Sequence, residues 1–183
     1  MKKIWYWGLI VVFLFLTGCA TVPVYTSDPT TQTVENDLFV MELEPHLAPG
    51  KSYFDSFRYI FWNKSNTILE IDWQNTFYLK NGVSFGRWAK DELTIEDIQE
   101  EREQPRIEVA PGNTLSGLIY PMKLIAKRSP TLVSLTDMTR DEPFKTRGII
   151  PESESGMLLT VRQGDRLIRE KLICRITITY MRK

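Results

Sequence analysis

Few residues in this chain have a type and spacing suited to chemistry. Glu70 and Asp72 lie two apart in Leu69-Glu70-Ile71-Asp72-Trp73, where apolar residues alternate with acids. On a strand the two carboxylates share one face, about 6–7 Å apart by strand rise. Paired carboxylates about 5–9 Å apart carry out glycosidic hydrolysis, and Glu92 is the other candidate partner for Asp72. His46 is the only histidine, so a Ser-His-Asp or Cys-His site has one imidazole base to draw on. It lies in Glu44-Pro45-His46-Leu47-Ala48-Pro49, which reads as an exposed loop between strands. One His and two Cys make a poor zinc set, because such sites combine several of these ligands. The acids between Asp91 and Glu103 lack the Asp-x-Asp-x-Asp-Gly spacing of a calcium loop and have Arg102 and Arg106 beside them, so they read as a solvated helix face. Lys123, Lys127, Arg128, Arg140, Lys145 and Arg147 make the middle third basic. That run reads as solvated too, with an acidic partner as the alternative. The chain has no P-loop and no G-x-G-x-x-G. The expectation is a protein that is not an enzyme and carries no metal and no cofactor.

The aromatic residues offer more. In the run 57–62, Phe57, Tyr59 and Phe61 alternate with Arg58, Ile60 and Trp62. Both faces of such a strand are partly apolar. The core buries one; the second is either covered or forms a contact surface. Trp62, Trp73 and Trp88 are the candidate binding residues on that basis.

At 183 residues the chain has one domain's worth of length. It is 43% hydrophobic and 25% charged, with 23 basic and 23 acidic side chains. These values suit a globular fold and exclude a disordered or multi-span membrane chain. They also lack the basic excess of a generic nucleic-acid binder.

The N-terminus reads as an address. Lys2 and Lys3 precede an apolar stretch from Ile4 to Leu16, and only 15 residues separate Lys3 from Cys19. That is short for a bilayer-spanning helix, which needs about 20 apolar residues, and it suits a secretory signal. Leu16-Thr17-Gly18-Cys19 resembles the lipobox of bacterial lipoproteins. The resemblance implies cleavage before Cys19 and acylation of its thiol and new amine. Stable anchoring requires two or more acyl chains, since one gives only marginal binding. Ala20 in place of Asp implies, by analogy with enterobacterial lipoproteins, the outer membrane and its periplasmic face. Loss of Lys2 and Lys3 leaves two more acids than bases. Residues 1–18 are thus the expected signal peptide.

Residues 19–36 are the expected acylated N-terminus and flexible tether, since 20–36 holds five Thr, two Pro and few large apolar residues. Residues 37–183 are the expected folded domain. Period-two alternation predicts strands at 38–43, 54–63, 69–73, 77–80 and 83–85, the last two joined by Asn81-Gly82. A short surface helix is predicted within 91–104. Further strands are predicted at 106–109, 115–120, 131–135, 157–161 and 167–180, with a loop over 137–156. Cys174 falls on the inward face of the last strand, as a small buried hydrophobe.

Many short strands with regular turns predict an antiparallel β-sandwich. The aromatic strand ending at Asn63-Lys64-Ser65, then Leu69-Glu70-Ile71-Asp72, the Asn-Gly hairpin and Ala110-Pro111-Gly112 with Gly117, Ile119 and Pro121 resemble small immunoglobulin-like envelope domains. The resemblance implies a fold and no function. The functional expectation is a lipid-anchored module that binds a partner, an envelope protein, through loops and an aromatic face. The alternatives are an inhibitor or stress lipoprotein using loop 137–156, and a hydrolase built on Asp72.

Overall fold

Alternating runs of strand formers recur along the sequence, and the chain folds accordingly. A computed structural model describes residues 21–90, 97–98, 100, 102–127 and 145–182. Within these residues the strands are β1 (Thr21–Asp28), β2 (Gln32–Glu35), β3 (Phe39–Leu47), β4 (Phe54–Asn63), β5 (Leu69–Ile71), β6 (Phe77–Lys80), β7 (Val83–Lys90), β8 (Ile107–Val109), β9 (Thr114–Pro121), β10 (Ala126–Lys127), β11 (Lys145–Thr146), β12 (Ser153–Gln163) and β13 (Arg166–Arg182). Two 3-10 turns, Trp73–Asn75 and Met122–Leu124, interrupt them.

Eleven strands form one antiparallel sheet in the order β1-β13-β12-β6-β7-β9-β4-β3-β2, with β5 bridging β12 to β8. β10 and β11 pair separately. The all-β antiparallel class matches the sequence expectation, although the strands run as one hydrogen-bonded path that curls into a half-barrel. β7 makes the corner. Its first half pairs with β6 and its last three residues, Trp88 to Lys90, pair with β9. A strand that changes partners along its length turns a sheet back over itself.

Alternation then sorts the core. Phe39, Met41 and Leu43 of β3 and Phe57, Tyr59 and Phe61 of β4 point inward, in register as Met41 with Phe61 and Leu43 with Tyr59. Met157, Leu159 and Val161 of β12 and Leu172, Cys174 and Ile176 of β13 meet them from the other arm in one continuous cluster. The Asn81-Gly82 turn forms as predicted, with φ of +50° and +76°. Both positions of a type I′ hairpin turn require positive φ.

The segment read as a tether departs most from expectation. Residues 21–28 pair with β13 along their whole length, and 32–35 pair with β3. The Thr residues that suggested a polar linker are β-branched and favour strands, and Thr26 meets Thr177 directly across the pair at 2.9 Å. Pro23 fits because β1 is an edge strand, where a missing N–H is tolerated.

Three boundaries also move. β3 extends through Pro45 to Leu47, past the residues that pair with β2, so His46 is half-buried in a strand and not in a loop. Trp73 leaves the predicted 69–73 strand for a 3-10 turn. β12 starts at Ser153, which removes the last residues of the expected 137–156 loop. Residues 128–144, including the predicted strand 131–135, lie outside the described residues, as do 1–20 and most of the predicted helix, of which Asp97 and Ile98 are helical.

Candidate functional site

The three candidate tryptophans part company. Trp73 and Trp88 are fully buried, whereas Trp62 is 45% exposed. Trp88 closes the corner of the sheet: its ring meets Phe57 edge-on at 5.3 Å and Tyr78 at 5.2 Å. Trp73 meets Tyr59 in the same way at 5.2 Å. Such T-shaped pairs set a positive ring edge against a negative ring face and stabilise beyond their buried area. Both indole N–H groups lack a hydrogen-bond acceptor among the described residues. Trp73 and Trp88 are therefore core residues, which removes them from any contact surface. Their alternation in sequence could not reveal this, because the curl of the sheet buries them from both sides.

Trp62 stands on the outward face of β4, with Val40 of β3 on one side and Thr114 of β9 on the other. Ile60 follows along the strand, half-buried between Glu42 and Ser116. Arg58 comes next and forms an ion pair with Glu44 at 2.5 Å. The outer face of β3-β4-β9 thus carries, along β4, an exposed indole at one end, a half-buried isoleucine beside it and a charged pair further along. Exposed aromatic side chains are enriched at protein contact surfaces.

The carboxylate pair is held by arginines beside a turn. Asp72 follows β5 and caps the Trp73–Asn75 turn, accepting hydrogen bonds from the Asn75 backbone N–H at 3.2 Å and the Asn75 side-chain amide at 3.0 Å. Arg162 Nε donates to its second oxygen at 3.0 Å. Arg106 reaches both Glu70, at 3.7 Å, and Asp72, at 3.8 Å. The side chain of Asp72 is 1% exposed. Burial alone would push its pKa up, but the hydrogen bonds from Asn75 and Arg162 outweigh burial and hold it below the usual carboxylate range. A general acid in glycosidic hydrolysis needs the opposite shift. This carboxylate is an ionised structural clamp that ties β5 to β12.

A pH prediction follows from that sign. A carboxylate whose pKa is lowered by folding stabilises the fold above its unfolded pKa, and that contribution fades as pH falls through the lowered value. Asp72→Asn is expected to lose about 2 kcal/mol at neutral pH, from a cap and charge-assisted hydrogen bonds. The loss shrinks toward zero at strongly acid pH, where the native carboxyl is protonated too. Urea unfolding of both proteins from acid to neutral pH checks it; an equal deficit at every pH contradicts the ionised clamp.

Other sequence candidates settle in place. Cys174 is buried, donates to the Ser155 carbonyl at 3.4 Å, and has its thiol pushed up to about 12 by burial. Asn63 is fully buried: its amide donates to the Thr67 and Val109 carbonyls at 2.8 Å, and its oxygen accepts from Ser65. The polar turn read from sequence is thus a locked one. Arg147, counted in the basic run, turns inward onto the Tyr120 ring at 4.4 Å and toward Asp55 at 3.9 Å. Lys123 stays exposed over the Phe85 ring. Lys127, Lys145, Arg128 and Arg140 have no described side chains. Arg102 forms ion pairs with Asp97 and Glu100, each at 2.9 Å. No group of three or more His, Cys, Asp or Glu among the described residues is placed to hold a metal ion.

Two features escaped sequence reasoning. An open recess of about 460 Å³ lies outside the β6–β7 corner, lined by Phe77, Arg87, Met122, Lys123 and Ile125 among others. Gln104 is buried and donates its side-chain amide to the Trp88 carbonyl. Neither has a local signal, since both assemble residues far apart in the chain. No protein-family model, no curated protein and no solved structure matches this chain.

Proposed function

We propose that this chain is the precursor of a bacterial lipoprotein. Residues 1–18 leave as a signal peptide, and Cys19 becomes an acylated N-terminus. The all-β body stays at the periplasmic face of the outer membrane, where it binds or helps assemble a protein partner and has no catalytic role. The observation that carries this is Leu16-Thr17-Gly18-Cys19 following a basic start and an apolar stretch too short to span a bilayer. Within the body, the two arms of the curled sheet pack over one core, in the manner of the two layers of an immunoglobulin-like sandwich. The contact surface is the outer face of β3-β4-β9 around Trp62. Near-neutral charge and the absence of a metal-ligand cluster among the described residues fit a protein partner better than nucleic acid or a metal.

Placing a photo-crosslinking amino acid at position 62 in living cells tests the contact surface. Trp62 is half exposed, so its replacement is expected to shift stability by no more than about 0.5 kcal/mol. A discrete crosslinked species should form from position 62 and be absent from Asp165, in the β12–β13 turn. Equal labelling at both positions, or none at either, contradicts this face as the contact.

A further inference from the structure

We infer that the free end of the β1–β13 ribbon is a membrane-docking element, seated in the headgroup interface of the bilayer beside the lipid on Cys19. This rests on the lipoprotein reading and extends it from an anchor to a docked orientation.

β12 begins, at Ser153, opposite Ile176 of β13. Past that point β13 pairs with β1 alone, from Thr177 with Thr26 to Arg182 with Thr21. The loop before β4 supports the ribbon at its base, where the Tyr25 N–H donates to the Ser52 carbonyl at 3.1 Å and the Ser52 hydroxyl donates to the Pro23 carbonyl at 2.7 Å. The last pairs extend beyond that support. A two-stranded ribbon is marginal in water on its own.

The tip is also the wrong composition for water. Val22 is 38% exposed, Met181 58% and Tyr180 70%. Val22 pairs with Met181, and Pro23 pairs with Tyr180. Successive cross-strand pairs face opposite sides, so both faces of the tip are apolar. Of the nine exposed large hydrophobic residues among those described, three are here. Tyrosine favours the membrane–water interface, where its ring is sheltered and its hydroxyl stays wet. Arg182 and Lys183 follow in sequence, cations of the kind that lipid phosphates attract.

Chain length selects the occupant. Thr21, the first residue of β1, is two residues beyond Cys19. Two residues span at most about 7 Å. An acylated Cys19 therefore holds the ribbon tip at the lipid surface, with no spacer to lift it clear. The exposed apolar tip and the anchor coincide, and a phospholipid interface satisfies both.

The test uses the acylated full-length mature protein, purified from membranes and placed in vesicles of phosphatidylethanolamine with phosphatidylglycerol as the minor lipid. An environment-sensitive fluorophore is attached at Met181→Cys or, at the far end of β13, at Asp165→Cys. Cys174 is buried and does not compete. The two sites are 16 positions apart, about 50 Å along the strand. The label at 181 should shift to the blue and be quenched several-fold more by spin-labelled lipids than the label at 165. Water-like emission at both sites on a protein whose mass confirms acylation overturns the docking and leaves the lipoprotein reading standing. A mass without acyl chains overturns both. A blue-shifted 181 label in the vesicle-free Cys19→Ser protein, running at twice the monomer mass, assigns the tip to a second copy and also overturns the docking.

Discussion

Alanine at position 156 is expected to unpair the centre of the sheet. Gly156 lies in β12 between Leu79 of β6 and Ile173 of β13. A Cβ added there would sit 1.9 Å from the Leu172 carbonyl oxygen and 2.9 Å from the Ile173 Cα. Both are backbone atoms of the neighbouring strand, so no side-chain rotation relieves the clash. β12 would have to move away from β13 by more than an ångström, breaking ladder hydrogen bonds on both sides of a strand that the rest of the sheet is built around. Overpacking of a core by one methyl group ordinarily costs about 1–3 kcal/mol; a clash with backbone should exceed that range. Gly117→Ala is the control. There the nearest atoms to the added Cβ belong to the Tyr59 side chain, the closest at 3.1 Å, and a side chain can give way where a backbone cannot. Chemical unfolding monitored by circular dichroism should show a large fall in midpoint, or no folded protein, for Gly156→Ala and a modest fall for Gly117→Ala. An unchanged midpoint for Gly156→Ala contradicts the close approach of β12 and β13.

Gly156 also shows where sequence legibility stops. The strand alternation of β4 and the Asn81-Gly82 turn are local, and each is written in consecutive residues. β4 runs over Phe54–Asn63, as its aromatic alternation predicts. A glycine between Ser155 and Met157 carries no sign that a carbonyl from residue 172 will approach it, because that distance is set by the coil of two strands. From sequence alone it falls in the expected 137–156 loop. The same limit explains Asp72. Its alternation with Glu70 is visible, but part of what lowers its pKa, after the hydrogen bond from Asn75, comes from Arg162, 90 residues away.

The tether was misread for a different reason. Composition suggested disorder over 20–36, yet Val22, Val24, Tyr25 and the interspersed Thr residues are strand formers that lacked only a partner. β13 supplies that partner from the other end of the chain, out of reach of any local window. The tryptophans mark a third limit. Sequence identifies which aromatic residues alternate, and it cannot say which face the curled sheet closes over. Trp88 is buried because β7 turns the corner there, while Trp62 remains outside.

The second large effect is expected at Cys19. An acyl chain contributes about 0.8 kcal/mol per buried methylene, so one chain binds only marginally and stable anchoring takes two or more. Acylation requires the thiol. Cys19→Ser keeps size and polarity close to the original and removes the sulfur, so cleavage before residue 19 and incorporation of fatty acid should both fall to background. Fold stability should not change, because the described strands begin at Thr21. The most direct measurement is the intact mass of the protein extracted from bacterial membranes, read beside its Cys19→Ser form. The expected result is a chain that starts at Cys19 and carries the added mass of two or three fatty acyl groups, absent from the serine form. A chain that still starts at Met1, or a Cys19 with a free thiol in the membrane fraction, would contradict it.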